Sequence, residues 1–282
     1  MQGAIATGPR PGLETSAPTF HYREEHTMGR VYAIANQKGG VGKTTTSVNA
    51  AASLAAAEKR TLVIDLDPQG NAGSGLGTSA REAERGTYDV LMGRARIEDV
   101  LRPTPIPALK LCPASPLLVG AEVELIDMER RDLLLRDAIE RVRRRYDYVL
   151  IDCPPSLGLL TLNALCAADA VLVPMQCEFY ALEGIAQLVS TIERVKATRN
   201  PKLTIEGVLL TMYDPRNNLA RQVADDLRKH FRVFESVVPR NVRLSEAPSF
   251  GKPVMLYDVA SKGSQAYLSF ARELMGSRAR TA

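Results

Sequence analysis

From residue 31 onward the chain alternates short apolar runs with longer runs of helical period. VYAIAN (31–36), TLVIDL (61–66), ALKLCPA (108–114), YDYVLIDC (146–153), DAVLVPM (169–175), IEGVLLTM (205–212) and VFESVVP (233–239) have the length and apolar content of strands. Between and after them, SVNAAASLAAAEK (47–59), LLLRDAIERVRRR (133–145), LEGIAQLVSTIERVKAT (182–198), LARQVADDLRKHF (219–231) and SQAYLSFARELM (264–275) read as helices. Strands without a polar face, alternating with helices, predict an α/β fold: one mostly parallel twisted sheet flanked by helices on both faces. The pattern places a single domain at 28–275. Residues 1–27 hold three prolines and three glycines with no apolar period, and are expected to be a disordered tail. Residues 276–282 are expected to be a short flexible C-terminal tail.

Composition sharpens this little. At 282 residues and 45% hydrophobic, the chain can bury a large core, and with no Trp and only 6 Phe that core must be mostly aliphatic. No run of 18 apolar residues occurs, so no membrane span and no membrane partner is expected. The four cysteines, at 112, 153, 166 and 177, have no metal-ligand spacing. With no export signal, they are expected to be reduced thiols of a cytoplasmic protein. Charge is more telling. Between Arg199 and Lys252 there are ten Lys/Arg and six Asp/Glu, so this window carries the whole net charge of +4. A solvated helix face is the plain reading. A surface for a polyanion is the sharper one.

The densest chemistry lies in QKGGVGKTTT (37–46), set between the first strand and the first helix. Strand, glycine loop and helix start in that order form a phosphate cradle. Backbone N–H groups of Gly39, Gly40, Val41, Gly42, Lys43, Thr44 and Thr45 can wrap phosphates, Lys43 supplies a point charge, and the Thr44 hydroxyl suits Mg²⁺. The usual GxxxxGK[ST] pattern needs glycine where Gln37 stands, and Lys38 has no place in it. Two further segments end strands on acids. TLVIDLDPQGN puts Asp65 and Asp67 two apart, and YVLIDCPPSLG puts Asp152 at the end of a buried strand. A lone buried acid is costly unless paired, and a cation reached through water would pair it.

KGGVGKTT resembles the loop of the deviant Walker A ATPases, which are P-loop NTPases, and within them the ParA/Soj partition family. The resemblance covers roughly residues 30–275 and includes DLDPQGNAGSGLG (65–77), IDCPPSLG (151–158) and VVPRNVRLSEAPSFGKPV (237–254). It implies ATP and Mg²⁺ as cofactors and an ATP-bound homodimer in which Lys38 reaches the partner's nucleotide. Lys38, Asp67 and Lys43 would be catalytic, with Asp67 on the attacking water. Thr44, Asp152 through water and Asp65 would attend the metal. Met212, Pro239 and Asn241 would line the adenine site. The resemblance further implies non-specific binding of double-stranded DNA through Arg216, Arg243 and Lys252, and a centromere-binding partner of the ParB type that triggers hydrolysis and release. The chain would then be a DNA-segregation ATPase, cytoplasmic and nucleoid-associated. A membrane-cycling ATPase like MinD shares the loop but ends in a basic amphipathic helix, whereas the end here is MGSRARTA. An iron-protein-like electron-transfer ATPase needs cluster cysteines, and a P-loop synthase needs a substrate pocket.

Overall fold

Six of the seven apolar runs form strands of one sheet. The computed structural model describes residues 28–79 and 83–281, together with Gly3. The tail expected over residues 1–27 therefore falls, Gly3 aside, outside the described residues. The sheet comprises β1 (Arg30–Ile34), β2 (Thr61–Asp65), β3 (Arg102–Pro103), β4 (Leu109–Cys112), β5 (Tyr148–Asp152), β6 (Ala170–Gln176) and β7 (Thr204–Thr211), in the order β3-β4-β2-β5-β1-β6-β7. Neighbours pair in parallel except β3, a two-residue antiparallel edge that no apolar run announces. The chain leaves β1 toward one side of the sheet and later returns to its other side, so the strand order reverses beside β1. Such a reversal opens a crevice at the carboxyl ends of the strands.

Alternate residues of each strand feed two separate cores. Val31, Ala33, Leu62, Ile64, Val149 and Ile151 face a layer of helices that includes Leu134–Val142, Leu159–Ala167 and Ala181–Thr198. Tyr32, Ile34, Val63, Leu109, Tyr148 and Leu150 face helix α1 (Lys43–Ala56) and the C-terminal helix Lys262–Thr281. α1 is alanine-rich because it is pressed between sheet and C-terminal helix: Val48 to Ala55 are all buried. The C-terminal helix continues past Met275, so residues 276–281, expected as a flexible tail, extend it.

The seventh run, 233–239, is not a strand. Its chain touches β7 only at isolated bridges, Val208–Val233 and Thr211–Val238. The reason is Glu273 on the C-terminal helix. Its carboxylate accepts the N–H groups of Glu235 at 2.9 Å and Ser236 at 3.0 Å, drawing the middle of the run off the ladder. Phe234 pins the segment instead, packing edge-on against Phe270 with ring centroids 4.9 Å apart. Both rings are buried. Phe234→Ala is expected to cost about 3–5 kcal/mol, read from the denaturant midpoint. A wild-type midpoint would show that this segment adds nothing to the core.

Candidate active site

The cradle is built where β1 ends. Gly40 and Gly42 adopt φ of 74° and 87°, a left-handed backbone open to glycine. Gly42 stands immediately before α1, so the first N–H groups of the helix turn outward into the crevice. The loop is braced from below. The Thr211 hydroxyl, at the end of β7, donates to the Val41 carbonyl at 2.7 Å, and Asn36 accepts from the Lys38 N–H at 3.0 Å while donating to the Pro174 carbonyl. Lys43 is buried, and its Nζ donates to the Lys38 carbonyl at 3.1 Å. Burial pulls its pKa down, while the charges of Asp152 and Asp67 push the other way.

A cavity of about 480 Å³ opens beside this loop. Gly39, Gly40, Gly42, Lys43, Thr44, Thr45, Asp67, Met212, Pro239 and Asn241 all line it, so the expected phosphate and base residues converge on one space. Val41 is buried behind the loop rather than on its surface. Met212 takes φ of 48°, a strained backbone for a side-chain-bearing residue, right at the end of β7. Asn241 caps the helix Val242–Glu246, accepting from the Arg243 N–H.

The three carboxylates divide their work. Asp65 and Asp152 lie opposite each other in register on β2 and β5, and both are fully buried. Burial, then the neighbouring Asp152 charge, raise the Asp65 pKa well above the carboxylate range. Both Asp65 oxygens are engaged by backbone: Oδ2 accepts from Gly73 at 2.9 Å and Oδ1 from Asp67 at 3.2 Å. Asp65 thus ties down α2 (Asn71–Gly75), and offers a cation less than Asp152 does. Asp152 Oδ1 accepts from the Ser47 hydroxyl at 2.8 Å, whereas its Oδ2 is buried with no hydrogen-bond partner. Burial lifts its pKa to about 6 even though the neighbouring hydroxyls of Ser47 and Thr44 pull it down. An orphaned carboxylate oxygen beside the Thr44 hydroxyl at the foot of a phosphate cradle fits a hard divalent cation such as Mg²⁺. Asp67 is 8% exposed and reaches the cavity from the turn it closes by accepting the Gln69 N–H.

Lys38 stands apart. Its side chain is 39% exposed and forms an ion pair with Glu178, just beyond β6. Around the adjacent Gly39 and Gly40, a Cβ would meet nothing within 4 Å. This rim of the cradle is open.

The basic window divides in an unforeseen way. Arg216 is held by Asp214 at 2.8 Å, and Arg243 by Glu246 at 2.8 Å and Asp258 at 3.3 Å. Lys252 is exposed and has no carboxylate partner among the described residues. Arg240, which the sequence counts among the basic residues of this loop but assigns no contact, and Arg221, which sequence reasoning passed over, are also exposed without one among the described residues. Ser47 and Thr211 were missed too. Ser47 had a signal, since it lies one helical turn beyond Thr44 and shares its face. Tyr267, which lines the cavity and hydrogen-bonds Thr46 at 3.1 Å, had none.

Comparison with known proteins agrees with this geometry. A family model described as an AAA domain matches residues 29–205. The chromosome partitioning protein ParA of Myxococcus xanthus is 58% identical over 88% of this chain and 89% of its own. The sporulation initiation inhibitor protein Soj of Bacillus subtilis is 53% identical over 88% of this chain and 98% of its own. Among solved structures, a cobyrinic acid a,c-diamide synthase from Mycobacterium smegmatis with bound ADP and magnesium superposes with TM-score 0.77 at 38% identity, covering 88% of this chain and 94% of that one. With relatives so similar over nearly all of its folded length, the chain belongs to the ParA/Soj family of chromosome-partitioning ATPases.

Proposed function

We propose that this ATPase segregates DNA as an ATP-bound sandwich dimer that grips nucleoid DNA without sequence preference. A centromere-binding partner of the ParB type then triggers hydrolysis and release. The observation that carries the reading is the placement of two lysines at one cradle. Lys43 is buried under the phosphate loop, where it can serve its own nucleotide. Lys38 lies on the open rim and its side chain is tethered, among the described residues, only by an exposed ion pair, which is worth little. A charge so placed can leave Glu178 for the phosphates of a facing subunit, as an arginine finger does. Support for ATP and Mg²⁺ comes from the orphaned Asp152 oxygen and from the magnesium and ADP or ATP analogue bound by the mycobacterial structures. Bound Mg²⁺ would neutralise charge on the transferring phosphoryl group. Thr44 and Asp152 would hold it, Lys43 and the loop N–H groups would fix the phosphates, and Asp67 would orient water.

The same site would suit a P-loop synthase, and the mycobacterial structure carries such a name. The 58% identity to ParA over the same share of the chain favours partition. No described helix is long and apolar enough to cross a membrane, and we place the working protein in the cytoplasm on the nucleoid.

Sedimentation with DNA in ATP, ADP or no nucleotide tests the proposal. Only the ATP state is expected to bind, and four phosphate contacts per dimer give a log–log salt slope of roughly −3.6. Arg243→Glu should abolish binding. Glu246→Gln, which frees Arg243 from one carboxylate, should strengthen it several-fold. ATP-formed dimers that ignore DNA would refute the reading.

A further inference from the structure

Two connections, the first of them buried, run from the phosphate cradle to the loop that carries Arg243. The first is Asn49, one turn beyond Thr45 on α1 and only 6% exposed. Its Nδ2 donates to the Thr45 carbonyl at 2.8 Å, and its Oδ1 accepts from the Val254 N–H at 2.8 Å. The first of these bonds stays within the helix. The second crosses 205 residues of sequence. Val254 opens the turn Val254–Tyr257. From that turn the Tyr257 hydroxyl donates to Glu246 at 3.2 Å, and Glu246 is one of the two carboxylates that hold Arg243. The Tyr257 ring also stacks on Phe250, with centroids 5.0 Å apart.

The second connection is a meeting of two glycines. Gly77 follows α2, the helix that Asp65 ties down, and adopts φ of 83°. Gly251 adopts φ of 62° in the basic loop. A Cβ on Gly251 would come within 3.1 Å of Gly77 Cα, and one on Gly77 within 3.2 Å of the Gly251 carbonyl. The loop therefore rests on both the phosphate helix and the segment that follows Asp67.

We propose that Asn49 is a positioning residue that couples occupancy of the cradle to the conformation of loop 242–257, with the Gly77–Gly251 contact as a second brace. The inference rests on the DNA reading for what Arg243 grips, but not for the coupling itself. A planar amide bonded at both ends and buried on all sides cannot follow one partner without displacing the other. A phosphate drawn onto the N–H groups of Lys43 to Thr45 resets the first turn of α1. Asn49 transmits that shift to Val254, Tyr257 and the pairing of Arg243. A packing role alone would lower stability and leave the nucleotide response of the loop intact.

Asn49→Ser separates the two roles. A serine on a helix still donates to the carbonyl four residues back, but is too short to reach Val254. Backbone amide exchange across 251–257, the part of the loop clear of the cavity-lining Leu244, Ser245 and Pro248, is read by mass spectrometry, with and without ATP, on the full chain. In the wild type ATP is expected to slow exchange there by about tenfold. In Asn49→Ser that response is expected to vanish while ATP still slows exchange across 39–46. ATP-dependent DNA sedimentation, run in parallel, should lose its preference for ATP over ADP. Gly251→Ala, which strains the second brace, should weaken the loop response on its own and keeps the test open should Asn49→Ser misfold. A loop response to ATP in Asn49→Ser equal to that of the wild type would overturn the proposal, as would a wild-type loop indifferent to ATP. A wild-type loop that responds to ATP in a protein that ignores DNA would leave the coupling standing and sink the DNA reading.

Discussion

Lys38→Ala is expected to slow ATP turnover by about 10³-fold or more while ATP still binds. Lys43 remains in the cradle, so ground-state contacts with the phosphates are kept. What is lost is a charge delivered from outside the cradle and needed most in the transition state. Mixing two inactive variants decides whose nucleotide Lys38 serves. Lys38→Ala keeps its own Asp67, and Asp67→Asn keeps its own Lys38. If Lys38 acts across the dimer, equal mixing should restore about a quarter of wild-type turnover. Half of the dimers are then mixed, and one of their two sites is complete. If Lys38 serves its own nucleotide, no mixture of the two recovers, and the sandwich reading fails.

Asp152→Asn is expected to move stability and function in opposite directions. In the absence of nucleotide, Asp152 is a fully buried acid with one unpartnered oxygen, facing Asp65 across the β2–β5 pair. Leaving such an oxygen unsatisfied costs about 1–3 kcal/mol. Removing the charge should raise the melting temperature by roughly 2–4 °C for each 1 kcal/mol recovered in a domain of this size. The same change should abolish the extra stabilisation that Mg²⁺ adds in the presence of ATP, and reduce turnover beyond detection. Calorimetry with and without Mg²⁺–ATP reads both effects. A variant that melts lower than the wild type without nucleotide would mean that Asp152 stabilises the resting fold and is not held in reserve for a cation.

The sequence carried the sheet where burial was symmetrical. β2 and β5 are buried at every position, so their apolar runs had no competing helical reading. It misled at 233–239 because the deciding group, Glu273, lies on another helix and takes N–H groups that a local pattern assigns to the ladder. The short helices Asn71–Gly75 and Val254–Tyr257 escaped for a related reason. They are too brief to show a period and are fixed by Asp65 and Asn49 from a distance. At the site, the glycine loop and the acids at strand ends were legible, because phosphate chemistry constrains residue types at fixed spacing. The pairing of Arg216 and Arg243 with carboxylates was not, since ion pairs at short range follow from rotamers rather than from composition.

The last helix has a consequence for how the protein is made. Tyr267, Phe270 and Leu274 complete the core under α1, and the Tyr267 hydroxyl meets Thr46 across 221 residues. A ribosome delivers the phosphate loop 221 residues before its cover. Until that cover arrives, α1 has a bare alanine face and the nucleotide cavity lacks a wall. The nascent chain therefore carries the loop through that whole interval without a finished ATP site. A product cut short before Tyr267 would be inert rather than a competitor for nucleotide.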